Sequence, residues 1–117
     1  MVGSATAGGK ETYAAEPETT QPMLCAETAG LLREYMAYNV ENKYGSENFP
    51  GLTVCAKSGT GEVGGGQKPN AMFAGFLADS EYPLAFLVAI EKGGFGADTC
   101  IPVISKVLEA CVAELDK

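Results

Sequence analysis

The sequence contains no histidine. Histidine is the side chain most often used as a general base and as a transition-metal ligand near neutral pH, so Ser-His-Asp and Cys-His chemistry within this chain are excluded. Any proton transfer must therefore use a lysine or a carboxylate. The cysteines form no Cys-x-x-Cys pair, which disfavours a zinc ribbon or a thioredoxin-like redox centre; they are Cys25, Cys55, Cys100 and Cys111. Neither a metal site nor a cofactor is predicted.

Basic residues and long apolar runs are scarce as well. Only 8 Lys and Arg stand against 15 Asp and Glu, for a formal charge of -7. Binding to nucleic acid relies on many contacts from Lys and Arg to phosphate, so nucleic acid is not an expected partner. The longest apolar stretch, at residues 84–90, is far shorter than the roughly 20 residues of a membrane helix. Neither a membrane span nor a signal peptide at residues 1–10 is predicted.

The rest of the composition suits one folded domain or part of a larger one, with 46% hydrophobic and 20% charged residues. Residues 1–22 show no sustained hydrophobic period and are expected to be irregular or extended. From Met23 onward, apolar residues recur mostly at steps of three and four, which is the period of an amphipathic helix over residues 26–42. Gly45 then provides the left-handed conformation that ends such a helix.

Three apolar segments after this helix predict an antiparallel sheet, at residues 52–57, 71–77 and 84–90. The third is apolar nearly throughout, as expected for a strand covered on both faces. Asp98 and Pro102 predict the cap and the first turn of a C-terminal helix that packs on the sheet. The predicted fold class is α+β, with about three antiparallel strands flanked by an N-terminal-side helix and a C-terminal helix. The apolar stripe of the second helix comprises Ile101, Ile104, Leu108, Cys111 and Leu115.

One short motif combines residue types that suit catalysis or binding, at Lys57, Ser58, Gly59 and Thr60. A cation, two hydroxyls and a glycine at the end of a strand favour an extended substrate that lies along the strand edge and ends in a carboxylate. The backbone N–H of Thr60 can point at a developing oxyanion. The alternative is a basic strand that ends in a glycine turn. Period-two alternation also places Cys55 on the face of Lys57, so either a second nucleophile or a structural thiol is expected there.

The stretch from residue 54 to residue 63 resembles the Lys-Thr/Ser-Gly strand of penicillin-binding protein transpeptidases and serine β-lactamases. Residues 1–10 resemble, more weakly, the end of the helix that precedes this region in the family. The resemblance implies that residues 23–117 form the C-terminal part of a β-lactamase/transpeptidase-like domain, preceded by the irregular or extended segment 1–22. Other similar elements follow the family in the same order: the helix at 27–36, the strand at 70–76, the strand start at Pro83 and the helix start at Pro102.

The resemblance implies acyl transfer, in which an active-site serine attacks a peptidoglycan stem peptide or a β-lactam that mimics it. The resemblance implies, by position, that Lys57 is the catalytic lysine that faces the nucleophile and the family's Ser-x-Asn serine. Ser58, Gly59 and Thr60 are implied to bind substrate, with the Thr60 hydroxyl on its carboxylate and the Thr60 N–H forming half of the oxyanion hole. The family also implies a place in the cell envelope, on the outer side of the cytoplasmic membrane.

The sequence departs from the family at the nucleophile. A transpeptidase carries that serine in Ser-x-x-Lys, and none of the five serines here is followed by a lysine three residues later. Ser46 and Asn48 satisfy Ser-x-Asn, but they lie too close to Lys57 in sequence for the family's pattern and indicate an ordinary turn.

Two interpretations follow. The chain is expected to be part of a penicillin-binding D,D-transpeptidase of peptidoglycan cross-linking, supplying the substrate-binding strand and an oxyanion donor without the nucleophile. The other interpretation is a free-standing, non-catalytic binding or structural module with this fold. An upstream Ser-x-x-Lys in the same reading frame of the native gene product supports the first, and its absence supports the second.

The chain is expected to self-associate. Part of a domain leaves apolar surface and strand edges uncovered, which favours a dimer, a swapped arrangement or a marginally stable monomer. Light scattering at several concentrations, together with thermal unfolding, measures this. A concentration-independent monomer with a sharp transition at high temperature would contradict the prediction and favour the free-standing module.

Overall fold

The computed structural model describes residues 4–16, 18–79 and 81–117. It has an α+β fold in which a three-stranded antiparallel sheet is accompanied by two helices, as predicted. A π turn at Val40–Tyr44 and a 3-10 turn at Ser46–Asn48 connect the first helix to the sheet. In chain order the elements are β1 (Ser4–Ala7), β2 (Lys10–Ala14), α1 (Ala26–Asn39), β3 (Val54–Gly61), β4 (Asn70–Leu77), β5 (Ala85–Ile90) and α2 (Gly96–Leu115).

The main sheet is a meander in the order β3-β4-β5. Val54 pairs with Leu77 at one end of β3, and Gly61 pairs with Asn70 at the other. The strand therefore runs through the Lys57–Thr60 motif, whereas the sequence placed the motif beyond the end of a strand at residue 57. Regular pairing with β4 keeps the small residues extended, because strand formation depends more on neighbouring strands than on intrinsic propensity.

The N-terminal segment is extended, in the form of a separate two-stranded sheet. Gly8 and Gly9 make its turn with φ of 58° and 76°, values that suit a tight hairpin. The resemblance of residues 1–10 to a helix end is wrong for the described part, since Ser4–Ala7 is a strand. Every residue of both strands is exposed, so no apolar alternation marks them in the sequence.

Helix α1 ends three residues earlier than predicted, at Asn39. The chain continues as the π turn, which turns Val40 into the core with 3% of its surface exposed. Gly45 then ends the helical path with a positive φ of 81°, but its ψ of 106° lies outside the left-handed helical region that was expected. The side chain of Asn42 donates to the Tyr38 carbonyl at 3.0 Å and stabilises this irregular end.

The core lies between α2 and one face of the sheet. Its centre is Phe73, whose side chain is fully buried. The Phe86 ring stacks on Phe73 with centroids 6.0 Å apart and passes over Gly75, its partner in the register. Apolar side chains from β3, β4 and α2 surround this pair: Val54, Ala56, Ala71, Leu77, Cys100, Ile101, Ile104 and Leu108.

Helix α2 begins at Gly96, two residues before the predicted cap. A Cβ at Gly96 would collide with the carbonyl oxygens of Gly59 and Met72, so the helix start rests directly on the sheet backbone. Pro102 consequently lies in the second turn and not in the first. Of the predicted stripe, the first three residues are buried, Cys111 is half-buried and Leu115 is exposed.

The expectation that residues 84–90 are covered on both faces is wrong for this chain. Burial alternates along β5, and Leu87 is 70% exposed. This residue lies on the sheet face opposite α2, which we call the outer face, together with Ala85 and Ala89. Within the described residues, neither helix is long and apolar enough to cross a membrane.

Gly75 provides a test of this packing. A Cβ there would lie 2.7 Å from Phe86 Cζ and 2.9 Å from Ala56 Cβ, besides clashing with the Cys55 carbonyl. We expect Gly75→Ala to lower the free energy of unfolding by about 1–3 kcal/mol, because the backbone carbonyl cannot move aside easily. Urea unfolding at a fixed protein concentration measures the change.

Gly30→Ala is the matched control for that substitution. Gly30 lies inside α1 and a Cβ there meets nothing within 4 Å. Alanine should raise the free energy of unfolding by about 0.5–1 kcal/mol through its better helix propensity. Equal stabilities of Gly75→Ala and the wild type would contradict the close packing of Phe86 over Gly75.

Candidate functional site

The motif lies on an edge strand. Strand β3 pairs with β4 on one side only, and the N–H of Ser58 points away from β4, toward the Tyr44 hydroxyl at 3.0 Å. In an antiparallel strand, every second residue directs its backbone groups to the same side. The N–H and C=O of Thr60 therefore also lie along this outward side, which we call the β3 edge.

The side chains of the motif alternate between the two faces of the sheet. Val54 and Ala56 belong to the core beneath α2, so Ser58 and Thr60 are directed to that side and Lys57 and Gly59 to the outer face. Lys57 is exposed, and its Nζ donates to the Ser58 carbonyl at 2.6 Å. The four predicted site residues thus form one short stretch of edge, in which the Lys57 cation lies at the Ser58 carbonyl, two residues before Thr60.

Tyr44 joins this site, although the sequence suggested only a helix end at that position. The π turn directs its ring onto Phe73, edge to face, with centroids 5.1 Å apart at 79°. Its hydroxyl accepts the Ser58 N–H and donates to Ser58 Oγ, both at 3.0 Å. Burial raises the pKa of Tyr44, but hydrogen bonds with Ser58 and the charge of Lys57 outweigh burial and lower this pKa overall.

Cys55 is not placed to act as a nucleophile. Its side chain lies on the outer face, as that of Lys57 does, yet it is completely buried. Burial raises the pKa of its thiol; Asp79 acts in the same direction and Arg33 opposes it. A buried thiol with a raised pKa stays protonated near neutral pH, and only the thiolate is nucleophilic. The structure therefore agrees with a structural thiol.

Ser46 to Asn48 form an ordinary turn, as expected. The Asn48 side chain donates to the Tyr44 carbonyl at 2.8 Å, and the backbone carbonyl of Asn48 accepts a bond from the Ser105 hydroxyl on α2 at 2.5 Å. These contacts hold the loop against the second helix. In the described ranges, no three His, Cys, Asp or Glu side chains come together as metal ligands would.

Two of the surface pockets formed by the described residues differ in their position relative to the motif. The larger, about 380 Å³, lies between the loop at Phe49 and the last turns of α2, away from the motif. The other, about 320 Å³, lies where β3 ends and is lined by Gly61, Met72, Glu62 and Glu91 among others. The second pocket lies across the ends of β3, β4 and β5, near the hairpin at residues 64–66, whose three glycines all have positive φ.

A protein-family model matches most of the chain. The model of the penicillin binding protein transpeptidase domain matches residues 2–109. No curated protein sequence matches the chain.

Solved structures show the same fold. Penicillin-binding protein A of Mycobacterium tuberculosis, in its ceftriaxone acyl-enzyme complex, is 22% identical with a TM-score of 0.70 over 86% of this chain and 24% of its own. The D,D-transpeptidase domain of a peptidoglycan glycosyltransferase from Eggerthella lenta is 26% identical with a TM-score of 0.63 over 89% of this chain and 25% of its own. A further structure of penicillin-binding protein A is 21% identical with a TM-score of 0.71 and covers 88% and 26%. The chain spans about a quarter of the length of each structure.

Thiol labelling tests the assignment of the cysteines. Cys25 is exposed, and a hydrogen bond with the Thr28 hydroxyl at 3.1 Å is the main cause that lowers its pKa. Burial raises the pKa of Cys55 and of Cys100. At pH 8 we expect iodoacetamide to modify Cys25 first and the two buried thiols only after unfolding, as followed by mass spectrometry.

Thr28→Ala and Cys25→Ser are the control variants for this labelling. Thr28→Ala removes a bond that stabilises the thiolate, so it should slow the modification of Cys25 at the same pH. Cys25→Ser should abolish the fast reaction altogether. Rapid labelling of Cys55 in the folded protein would contradict its assignment as a structural thiol.

Proposed function

This chain belongs to the penicillin-binding protein transpeptidase family, and from that premise we propose that its β3 edge binds the acyl donor of a D,D-transpeptidase that cross-links peptidoglycan. The observation that carries the proposal is the outward direction of the Thr60 backbone on the strand that also presents the exposed cation of Lys57. An edge strand recognises an extended peptide through its unpaired N–H and C=O groups. A peptide that ends in a carboxylate gains further from a nearby positive charge.

The proposed reaction is acyl transfer through a serine. A serine in a Ser-x-x-Lys motif of the complete domain attacks the carbonyl between the last two D-alanines, or the carbonyl of a β-lactam ring. The Thr60 N–H donates one hydrogen bond to the oxygen that becomes negative, where a fixed donor stabilises the transition state most. The terminal D-alanine then leaves, and the amine of a second stem peptide takes the acyl group from the serine.

The other motif residues have supporting roles in this proposal. Lys57 supplies positive potential to the nucleophile and to the Ser-x-Asn serine, and its exposed stem allows Nζ to leave the Ser58 carbonyl. The Thr60 hydroxyl binds the donor carboxylate. Gly59 leaves room for the donor. A Cβ at this position would lie 3.4 Å from the Met72 Cβ, which is van der Waals contact, so packing on the outer face does not by itself require a glycine.

The outer face supports a larger domain. Leu87 is 70% exposed on it, and α1, which lies against β3, has no buried residue, with Leu31 and Leu32 46% and 47% exposed. Apolar surface of this extent usually marks an interface. We propose that the remainder of a transpeptidase domain covers it. The substrate lies outside the cytoplasmic membrane, so the proposed place of action is the cell envelope.

A free-standing module is the second candidate, and the core supports it. Phe73 and its neighbours are buried between the sheet and α2 without help from any further chain. A module of this kind retains the fold and binds through the β3 edge, or serves as a structural element, without acyl transfer.

Labelling with a fluorescent penicillin separates these proposals. We expect no covalent label on the 117-residue chain alone, since it lacks Ser-x-x-Lys. The native gene product should carry an upstream Ser-x-x-Lys and be labelled on that serine. A stable acyl adduct on a serine of this chain would overturn the proposal that the nucleophile lies outside these 117 residues. A gene product without the upstream motif would favour the module.

Lys57→Ala tests the motif within the labelled gene product. Loss of the cation should slow acylation by roughly 100-fold or more, the scale of losing one electrostatic contact to the transition state. Lys68→Ala, an exposed lysine on the β3–β4 connection, is the matched control and should leave the rate unchanged. Equal acylation rates for the two variants would contradict the role proposed for Lys57.

A further inference from the structure

The β3 edge is closed at one position, Ser58. Its outward N–H donates to the Tyr44 hydroxyl at 3.0 Å, and its carbonyl accepts from Lys57 Nζ at 2.6 Å. The N–H and C=O of one residue are the pair of groups with which a neighbouring antiparallel strand bonds. Both groups of this pair are bonded to side chains, so a further strand finds no open pair there.

The two closing side chains differ in how firmly they are held. Lys57 is exposed and flexible. Tyr44 is half-buried, with its ring against the buried Phe73, and its hydroxyl makes two bonds to one residue. Gly45 follows with φ of 81°, a conformation that glycine adopts without strain. Tyr44 therefore cannot leave Ser58 without withdrawing its ring from the core.

We propose that Tyr44 is a positioning residue that sets the register of the acyl donor by closing the β3 edge at Ser58. The inference rests on the proposed function of that edge. A donor pairs with the open groups of Thr60, and its chain extends from there toward Gly61 and the β3–β4 hairpin.

The direction of the donor follows from charge. A donor carboxylate is attracted to Lys57, which precedes Thr60 in β3, so the donor runs antiparallel to the strand with its C-terminus toward Ser58. Tyr44 then leaves no pairing position for residues beyond that end. The site favours peptides that terminate just after the scissile bond over peptides that continue past it.

Hydrogen exchange measures the closure directly. In the 117-residue chain, the Ser58 amide should be protected although it lies on an edge. Tyr44→Phe keeps the ring on Phe73 and removes the hydroxyl, so it should speed exchange at Ser58 by roughly threefold to tenfold, the effect of one neutral hydrogen bond. Amides of Met72 and Phe73 should be unchanged, which separates this effect from general loss of stability.

Tyr38→Phe is the matched control for exchange. Tyr38 lies on α1 and is 60% exposed, so its substitution should leave Ser58 unaffected. An unchanged exchange rate at Ser58 in Tyr44→Phe, or an equal increase in Tyr38→Phe, would overturn the closure.

Peptide titration followed by the backbone amide resonances tests the register. The probes are diacetyl-Lys-D-Ala-D-Ala and the same peptide extended by Gly-Gly at its C-terminus. In the wild type, the short peptide should shift amides at residues 60–62 and bind at least about threefold more tightly than the extended one. In Tyr44→Phe this preference should decrease, since only the attraction of the carboxylate to Lys57 remains, and the shifts from the extended peptide should reach Ser58.

The outcomes distinguish the two proposals. Equal binding of both peptides to the wild type, or an unchanged preference in Tyr44→Phe, would overturn the role of Tyr44 and leave the proposed function standing. If neither peptide shifts any amide between residues 57 and 62 in either protein, the proposed function of the β3 edge fails, and the register role that rests on it fails with it.

Discussion

The packing of Phe73 connects every part of this structure that bears on the site. Its ring meets Tyr44 edge to face at 5.1 Å and Phe86 in a stack at 6.0 Å. The first contact ties the turn after α1 to the centre of the sheet, and the second ties β5 to it. Aromatic rings bury large areas in a defined geometry, so the three packed rings fix the relative positions of the turn, β4 and β5. The hydrogen bonds between the Tyr44 hydroxyl and Ser58 follow from where the Tyr44 ring must lie.

Two glycines allow the layers to approach closely enough for this packing. Gly75 leaves space for the Phe86 ring, and Gly96 lets α2 rest on the carbonyls of Gly59 and Met72. The second contact touches the motif strand itself, from the core side. The strand that presents Lys57 and Thr60 is therefore supported by helix backbone on one face while its edge stays toward solvent.

The sequence predicts those elements whose hydrophobic pattern is local. Ile101, Ile104 and Leu108 identify α2 by their spacing, and the residue types of Lys57 to Thr60 identify the motif. The contact of Tyr44 with Ser58 was not predictable in this way, because the two residues are fourteen positions apart and the π turn that directs Tyr44 has no periodic signature. The hairpin of β1 and β2 was missed since its residues are all exposed, although Gly8 and Gly9 were a turn signal.

Because of the π turn, the position of the Tyr44 ring depends on the number of residues between α1 and Tyr44. The turn spans the five residues from Val40 to Tyr44, while a continuing α-helix advances by about 100° for each residue. Deleting or inserting a single residue here would rotate the phenol away from β3 even if every side chain kept its identity. Substitutions on the exposed side of the turn are tolerated by this geometry, whereas changes in its length are not, so an alignment gap between Val40 and Tyr44 signals a different edge.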